Sequence, residues 1–225
     1  MYKRQLNTSG YAHGFVVTPG AEPPSHTQFS MQHQYGEYFN LCHFGSLAKD
    51  RSLSTILPAL NTLLRKYPEA RSHIRIHVYG ASLDSLSAEV IQRLGLGDVV
   101  ITHGRLEKDP QSGISGRERV IEKMQQADVL ILLHGQGEEC AEYIPSKLYD
   151  YLWTGRPVWG ITHRNPQLNE MLSARNAYLS ASGDDAGIAM TLEKIWQDWQ
   201  QKNLNPVLGS PVGVNQAVQT ILETI

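Results

Sequence analysis

The sequence predicts an α/β fold built on a Rossmann-like, doubly wound parallel sheet. From residue 38 onwards, short apolar runs alternate with amphipathic stretches in which apolar residues recur every three or four positions. The run VLILL at 129–133 is apolar at every position, which is typical of a strand buried on both faces at the centre of a parallel sheet. These patterns predict one open sheet with helices on both faces, and ligands of such folds bind beyond the carboxyl ends of the strands.

The predicted strands are short, and turn residues bound most of them. The fourth, DVLILLHG, is the most apolar and is therefore placed at the centre of the sheet. The predicted strands cover residues 39–47, 74–80, 98–104, 128–135, 157–162 and 177–182.

Helical periodicity fills most of the intervals between these strands. In the first helix Ile56, Leu60, Leu63 and Tyr67 recur at helical spacing. Pro58 must lie near its first turn, because a proline deeper in a helix kinks it. Further helices are predicted at 87–95, at 116–127, from residue 145 onwards, at 185–201 and at the end of the chain.

The composition argues against a nucleic-acid or membrane partner. The 225 residues are 41% hydrophobic and 19% charged, which suits a full α/β core. The net charge is -2 and no run of five like charges is present, so no basic surface for a polyanion is expected. No stretch approaches the roughly 20 apolar residues of a transmembrane helix, and no signal-peptide pattern opens the chain. Because Cys42 and Cys140 are the only cysteines, we expect a cytoplasmic protein without a metal site.

We expect three segments along the chain. Residues 1–37 are rich in Pro, Gly, Ser, His and Gln and lack regular periodicity, so they predict an N-terminal remnant and connector. The opening MYKRQ back-translates to a sequence that resembles the transposase ends used in DNA library preparation, which predicts missing upstream sequence. Residues 38–205 form the predicted ligand-binding domain, and residues 206–225 form a C-terminal helix.

The segment after the central strand carries the strongest candidate site. Glu142 and Asp150 are separated by seven residues, and Pro145 between them suits the first position of a helix. The first amides of that helix would point outward with the positive end of its dipole, which predicts an anion site. These amides belong to Ser146, Lys147 and Leu148. The two carboxylates would accept hydrogen bonds from the hydroxyl groups of a sugar or a ribose.

A plainer interpretation of the same spacing stays open. Lys147 and Asp150 are three residues apart and therefore share a helix face. On an exposed helix such a pair stabilises the protein by about 0.2–0.5 kcal/mol and binds nothing.

The wider pattern resembles the retaining GT-B glycosyltransferases of family 4. The run from Glu142 to Asp150, followed by Gly155, Pro157 and Val158, is similar to the family's E-x7-E signature and its G-x-P-V turn, although the second glutamate is an aspartate here. FGSLAKDRSLSTILPAL is similar to the family's G-R-L-x-x-x-K segment; Gly45 matches the glycine, Arg51 falls on the lysine, and Ser46 replaces the arginine. The resemblance covers residues 39–200.

The resemblance implies a hexosyltransferase that uses a nucleoside-diphosphate sugar, with UDP as a candidate nucleotide. Residues 38–205 would be the nucleotide-sugar-binding half of a GT-B fold, and the acceptor-binding N-terminal domain would be missing, so this fragment alone would be inactive. Asp150 would hold the ribose hydroxyls and Glu142 would face the donor sugar. Arg51 would stabilise the leaving diphosphate with Lys49 or Lys147 as helper. No D-x-D motif is present, so we expect neither a metal nor a cofactor.

Other candidates and functions stay open beside this interpretation. His103 and Arg105, in a segment similar to the family's base-contacting loop, are candidates for the base pocket, and His134 for the donor-sugar site; a histidine that ends a strand is also often structural. A nucleotide-sugar epimerase of related architecture, or a nucleotide-binding module without catalysis, would explain the same pattern. The absence of G-x-G-x-x-G and of a P-loop argues against dinucleotide oxidoreductases and P-loop NTPases.

Overall fold

A parallel sheet of six strands forms the centre of the fold. The structure is a computed structural model that describes residue 22 and residues 33–80, 82–209 and 213–224, without the side chains of residues 139, 142 and 224. The strands are β1 (Phe39–Phe44), β2 (Ile74–Tyr79), β3 (Val100–Gly104), β4 (Val129–Leu133), β5 (Val158–Thr162) and β6 (Tyr178–Ala181). Their spatial order is β3-β2-β1-β4-β5-β6. This order defines a doubly wound sheet whose direction of winding reverses between β1 and β4, and it confirms the predicted fold class.

Helices connect the strands and cover both faces of the sheet. They are α1 (Leu57–Lys66), α2 (Ala70–His73), α3 (Ser85–Leu94), α4 (Gly116–Gln126), α5 (Lys147–Thr154), α6 (Pro166–Ser173), α7 (Asp185–Gln200) and α8 (Val214–Thr224). Short 3-10 turns at Leu53–Thr55 and Glu138–Glu142 precede α1 and α5.

The two faces of β4 serve two separate cores. Val129, Ile131 and Leu133 belong to a core formed with α1, α3 and α7. Leu130 and Leu132 belong to a second core formed with α4, α5 and α6. Every residue of β4 is buried, which confirms the central position predicted from its continuous apolar run.

The predicted elements are present, with shifted ends. The first strand ends at Phe44 rather than at residue 47, because Gly45 adopts a φ of 111° and turns the chain out of the sheet. Pro58 lies in the first turn of α1, as predicted. Two helices, α2 and α6, were not predicted. Asn165 caps α6 by accepting a hydrogen bond from the Leu168 amide at 2.8 Å, but the segment is too short for its periodicity to stand out.

Capping residues determine where α3 and α4 begin. The hydroxyl of Ser115 accepts a hydrogen bond from the Glu118 amide at 3.2 Å, and the Glu118 carboxylate accepts one from the Ser115 amide at 2.8 Å. This capping box fixes the start of α4. Asp84 caps α3 through the Ser87 amide at 3.0 Å, and Gly95 ends α3 in the left-handed conformation.

The two ends of the chain carry the predicted connector and the predicted C-terminal helix. Most of the predicted connector, residues 1–21 and 23–32, lies outside the described residues, so the predicted segment boundaries stay predictions. The helix predicted near the end of the chain is confirmed as α8. No helix among the described residues has the length and apolar character needed to cross a membrane.

Candidate functional site

A cavity of about 850 Å³ opens at the carboxyl ends of β1, β2 and β3. This edge lies next to the point where the order of the strands reverses, which is where doubly wound sheets bind their ligands. The cavity is lined by the ends of β1 and β2 and the residues that follow them, by the loop after β3, by one side of α4, and by the start of α5. The lining residues are Phe44, Gly45, Ser46, Tyr79, Gly80, Arg105, Leu106, Glu107, Lys108, Gly116, Arg117, Val120, Met124, Ser146, Lys147 and Asp150.

Two glycines let the backbones after β1 and β2 meet at one wall of the cavity. The Gly45 amide donates to the Tyr79 carbonyl at 2.8 Å. Gly80 has a φ of 142°, and a Cβ atom there would lie 2.5 Å from the Gly45 carbonyl oxygen. Neither position tolerates a side chain without strain. The backbone itself therefore lines this wall and is open to close approach by a ligand.

Lys147 brings an unpartnered cation to this wall. Its ammonium nitrogen is buried and has no hydrogen-bond partner among the described residues. A Cβ atom on Gly45 would lie 3.1 Å from that nitrogen. Burial, and secondly the charge of Arg51, lower the pKa of Lys147 to about 7. A buried ammonium group without a partner is costly, so the site is suited to an anion that would pair with it.

The helix that carries Lys147 begins later than the sequence predicts. Pro145 is not its first residue: α5 starts at Lys147, with Ser146 as its N-cap. The Leu148 amide donates to the Pro145 carbonyl at 2.9 Å, and the Leu148 side chain is buried in the second core. Of the amides predicted to bind an anion, those of Ser146 and Lys147 have no acceptor in the described part of the chain, whereas that of Leu148 is used within the turn.

Asp150 also faces the cavity, and its carboxylate is already bound. Both oxygens accept hydrogen bonds from Arg117 of α4: Nη1 lies 2.9 Å from Oδ2, and Nη2 bonds to Oδ1. Arg117 was not among the site residues predicted from the sequence. A signal was present, because a cation in the first turn of a helix opposes the helix dipole and needs a separate reason to be there.

The remaining predicted site residues lie at different distances from the cavity. Arg51 donates to the Ser46 carbonyl and hydroxyl at 3.3 and 3.4 Å, so it reaches one lining residue without lining the cavity itself. Lys49 is exposed and is not brought to the cavity. Arg105 stands at the rim with its Nε 3.3 Å from a Glu107 carboxylate oxygen. The side chain of Glu142 lies outside the described part of the chain.

The two histidine candidates are not among the residues that line the cavity. His103 stacks on Tyr79 with ring centroids 4.3 Å apart, and its Nε2 is 2.8 Å from His77 Nδ1. His134 is buried, and its Nε2 lies 3.1 Å from the Tyr143 carbonyl oxygen. Both side chains are thus held by neighbouring protein groups.

Comparison with known proteins supports the fold. No protein-family profile matches the chain, and no curated protein sequence does. Among solved structures, the chain is similar to S. aureus TarM, which was crystallised with UDP among its ligands; the TM-score is 0.59 at 13% identity, over 98% of this chain and 38% of TarM. It is also similar to the pneumococcal O-GlcNAc transferase GtfA in complex with UDP and GlcNAc, with a TM-score of 0.54 at 18% identity, over 93% of this chain and 35% of GtfA.

A third neighbour is a trehalose-6-phosphate synthase, OtsA, with a TM-score of 0.56 at 11% identity, over 84% of this chain and 43% of OtsA. The chain thus spans less than half the length of each of these proteins. At such identities the similarity concerns the fold alone. It confirms a Rossmann-like sheet of the kind that forms one half of GT-B glycosyltransferases.

Proposed function

We propose that this chain is the donor-binding half of a retaining glycosyltransferase of the family 4 type, and that its cavity binds a nucleoside-diphosphate sugar. The observation that carries the proposal is the buried ammonium group of Lys147, which has no hydrogen-bond partner among the described residues and lies beside the close-packed backbones of Gly45 and Gly80. An anion bound there would complete the site. The UDP in the complexes of TarM and GtfA supports a nucleoside diphosphate as that anion.

The arrangement of the cavity suggests how such a donor would lie. The diphosphate would meet the Lys147 ammonium and the free amides of Ser146 and Lys147, at the positive end of the α5 dipole. The ribose would lie one turn along α5, at Asp150. The base would then reach the loop after β3, where Arg105, Leu106, Glu107 and Lys108 line the cavity.

In the proposed reaction, the donor-binding half would stabilise the diphosphate as it leaves the sugar. As the sugar departs, negative charge grows on the phosphate oxygens, and fixed amides and cations aimed at them lower the barrier. Lys147 would supply the nearest cation, with Arg51 held next to Ser46 as a second one. By resemblance to the family, Glu142 would face the donor sugar. The acceptor would bind to a domain outside these 225 residues, so we propose that the fragment alone does not transfer sugar.

Calorimetric titration of UDP, GDP and ADP into the purified chain tests the proposal. We expect at least one of them to bind with one site per chain, and inorganic phosphate to bind far more weakly, because it lacks the ribose and base contacts. Arg93→Ala is a matched control, since Arg93 is an exposed arginine paired with Glu89 at 3.9 Å on α3. That variant should bind like the wild type. Failure of the wild type to bind UDP, GDP or ADP would contradict the proposal.

Nucleotide binding is expected to survive chelation. Among the described residues, no group of three or more His, Cys, Asp or Glu side chains is placed to hold a metal ion, and Lys147 and the amides offer the positive charge that a metal would otherwise supply. We therefore expect the same UDP affinity with and without EDTA. Loss of UDP binding in EDTA, restored by magnesium or manganese, would show that the site needs a metal.

A further inference from the structure

The pairing of Arg117 with Asp150 divides the cavity into two parts of different chemistry. Lys147 has no hydrogen-bond partner among the described residues, so its protonated form presents a positive charge that no described group neutralises. Arg117 and Asp150 neutralise each other through a two-point hydrogen-bonded contact. The two parts are close, because Lys147 and Asp150 are three residues apart, or about 4.5 Å along the helix axis.

The paired groups keep hydrogen-bonding capacity that faces the cavity. The Arg117 side chain is 58% exposed and the Asp150 side chain 19% exposed, and both residues line the cavity. Each Asp150 oxygen retains a lone pair, and the N–H groups of Arg117 that do not bind Asp150 remain as donors. The pair therefore offers acceptors and donors side by side without net charge.

A vicinal diol has the complementary chemistry. Each hydroxyl group both donates and accepts a hydrogen bond, so one can donate to the carboxylate and accept from the guanidinium. A phosphate group only accepts, and Asp150 would repel it. The neutral pair therefore suits hydroxyl groups, and the phosphates belong with Lys147.

The local structure holds Arg117 in this position. Gly116, just before it, lies so close to the loop after β3 that a Cβ atom there would collide with the Leu106 carbonyl oxygen. Two residues later, Arg119 donates to the Glu107 carbonyl at 2.7 Å. These contacts bind the start of α4 to the loop that forms the far side of the cavity.

We infer that Arg117 is a specificity-determining residue that reads the 2′ and 3′ hydroxyl groups of the donor's ribose together with Asp150. The inference rests on the proposed function and adds to it a residue that the family signature does not contain. It also explains how the shorter aspartate serves at position 150: the guanidinium fixes the carboxylate and extends the contact surface toward the ribose.

The test compares UDP with 2′-deoxy-UDP on the wild type, Arg117→Ala and Arg117→Lys. We expect the wild type to bind UDP about 10- to 100-fold more tightly than the deoxy compound, the range for hydrogen bonds to charged groups. Arg117→Ala should lose much of that ratio, because UDP loses the contacts of both hydroxyl groups with Arg117 whereas 2′-deoxy-UDP loses only that of the 3′ hydroxyl; Arg117→Lys should restore part of the ratio. Arg93→Ala should keep the wild-type ratio.

Two other results would contradict either the inference or the proposed function. If Arg117→Ala keeps the wild-type ratio, or weakens both compounds equally, Arg117 does not read the 2′ hydroxyl and the inference, which assigns it both hydroxyl groups, is overturned. If the wild type binds neither compound, the proposed function itself fails. Circular dichroism and thermal unfolding of each variant show that any loss of binding is not a loss of folding.

Discussion

Replacing Lys147 by methionine is expected to weaken UDP binding by about 2–5 kcal/mol, the range for removing one partner of a buried, hydrogen-bonded charge pair. Methionine keeps the length and the apolar stem of lysine but cannot donate to a phosphate. The same change should raise the stability of the ligand-free protein. The Lys147 ammonium nitrogen is buried and has no partner within the described part of the chain, and methionine removes that charge with little change in side-chain volume.

The stability gain should depend on pH in a defined direction. The pKa of Lys147 falls from its usual value of 10.5 to about 7 in the folded protein, so the unfolded chain binds more protons in that interval. Wild-type stability should therefore rise as pH increases from about 7 to about 10.5. The advantage of Lys147→Met, roughly 2–4 kcal/mol near neutral pH, should shrink over the same interval.

Urea unfolding and UDP titration of both proteins measure the two effects. The charged neighbours of the ammonium matter to the result: Arg51 lowers the pKa of Lys147, and His43, buried beside it, has its own pKa lowered by burial and by Lys147. Lys147→Arg is the control that keeps a charge. A Lys147→Met protein that is less stable and binds UDP normally would show that Lys147 is a packing residue.

Asp150→Asn is expected to weaken UDP binding by about 1.5–3 kcal/mol, because the amide replaces a charged acceptor by a weaker neutral one. Stability should change by no more than about 1 kcal/mol, since the Arg117 side chain is more than half exposed and such pairs contribute little. Asp150→Glu restores the residue of the family signature and should bind UDP.

Titration of uridine, which lacks the diphosphate, separates the ribose contact of Asp150 from the phosphate contact of Lys147. If Asp150 holds the ribose, the asparagine variant should weaken uridine and UDP by the same factor, whereas Lys147→Met should weaken UDP alone. Equal UDP affinities for the wild type and Asp150→Asn would remove Asp150 from the site and leave it as a surface ion pair with Arg117.

Periodicity was sufficient to predict the sheet because its signal extends over many residues. The continuous apolar run of β4 and the recurring leucines of α1 each reflect burial of a whole face, so single exceptions do not obscure them. The start of α5 was mispredicted because Pro145 fits the first helical position equally well as a residue just outside the helix. Ser146 already has helical φ and ψ values of -57° and -33°, and the Leu148 amide bonds to the Pro145 carbonyl three residues earlier. The start of α5 therefore depends on where hydrogen bonds four residues apart begin, which the sequence does not specify.

The part of the site that was predicted consists of residues close together in the sequence. Gly45, Ser146, Lys147 and Asp150 lie within or beside a recognisable local pattern, and the fold brings them into one cavity. Arg117 lies 33 residues before Asp150 on a different helix, so only the packing of α4 against α5 places the two together. The burial of the Lys147 ammonium group without a hydrogen-bond partner among the described residues is likewise a property of the tertiary structure.

The most direct test of a diphosphate at Lys147 is the proton balance of binding. UDP-glucose suits the measurement, because its diphosphate is esterified at both ends and keeps its charge near pH 8. In the ligand-free protein Lys147, with a pKa of about 7, is mostly neutral at pH 8. A bound diphosphate would raise the pKa of Lys147. Calorimetry in two buffers of different ionisation enthalpy should therefore show uptake of close to one proton per UDP-glucose bound by the wild type, and none by Lys147→Met. Binding of UDP-glucose without proton uptake, or with equal uptake in both proteins, would contradict the account.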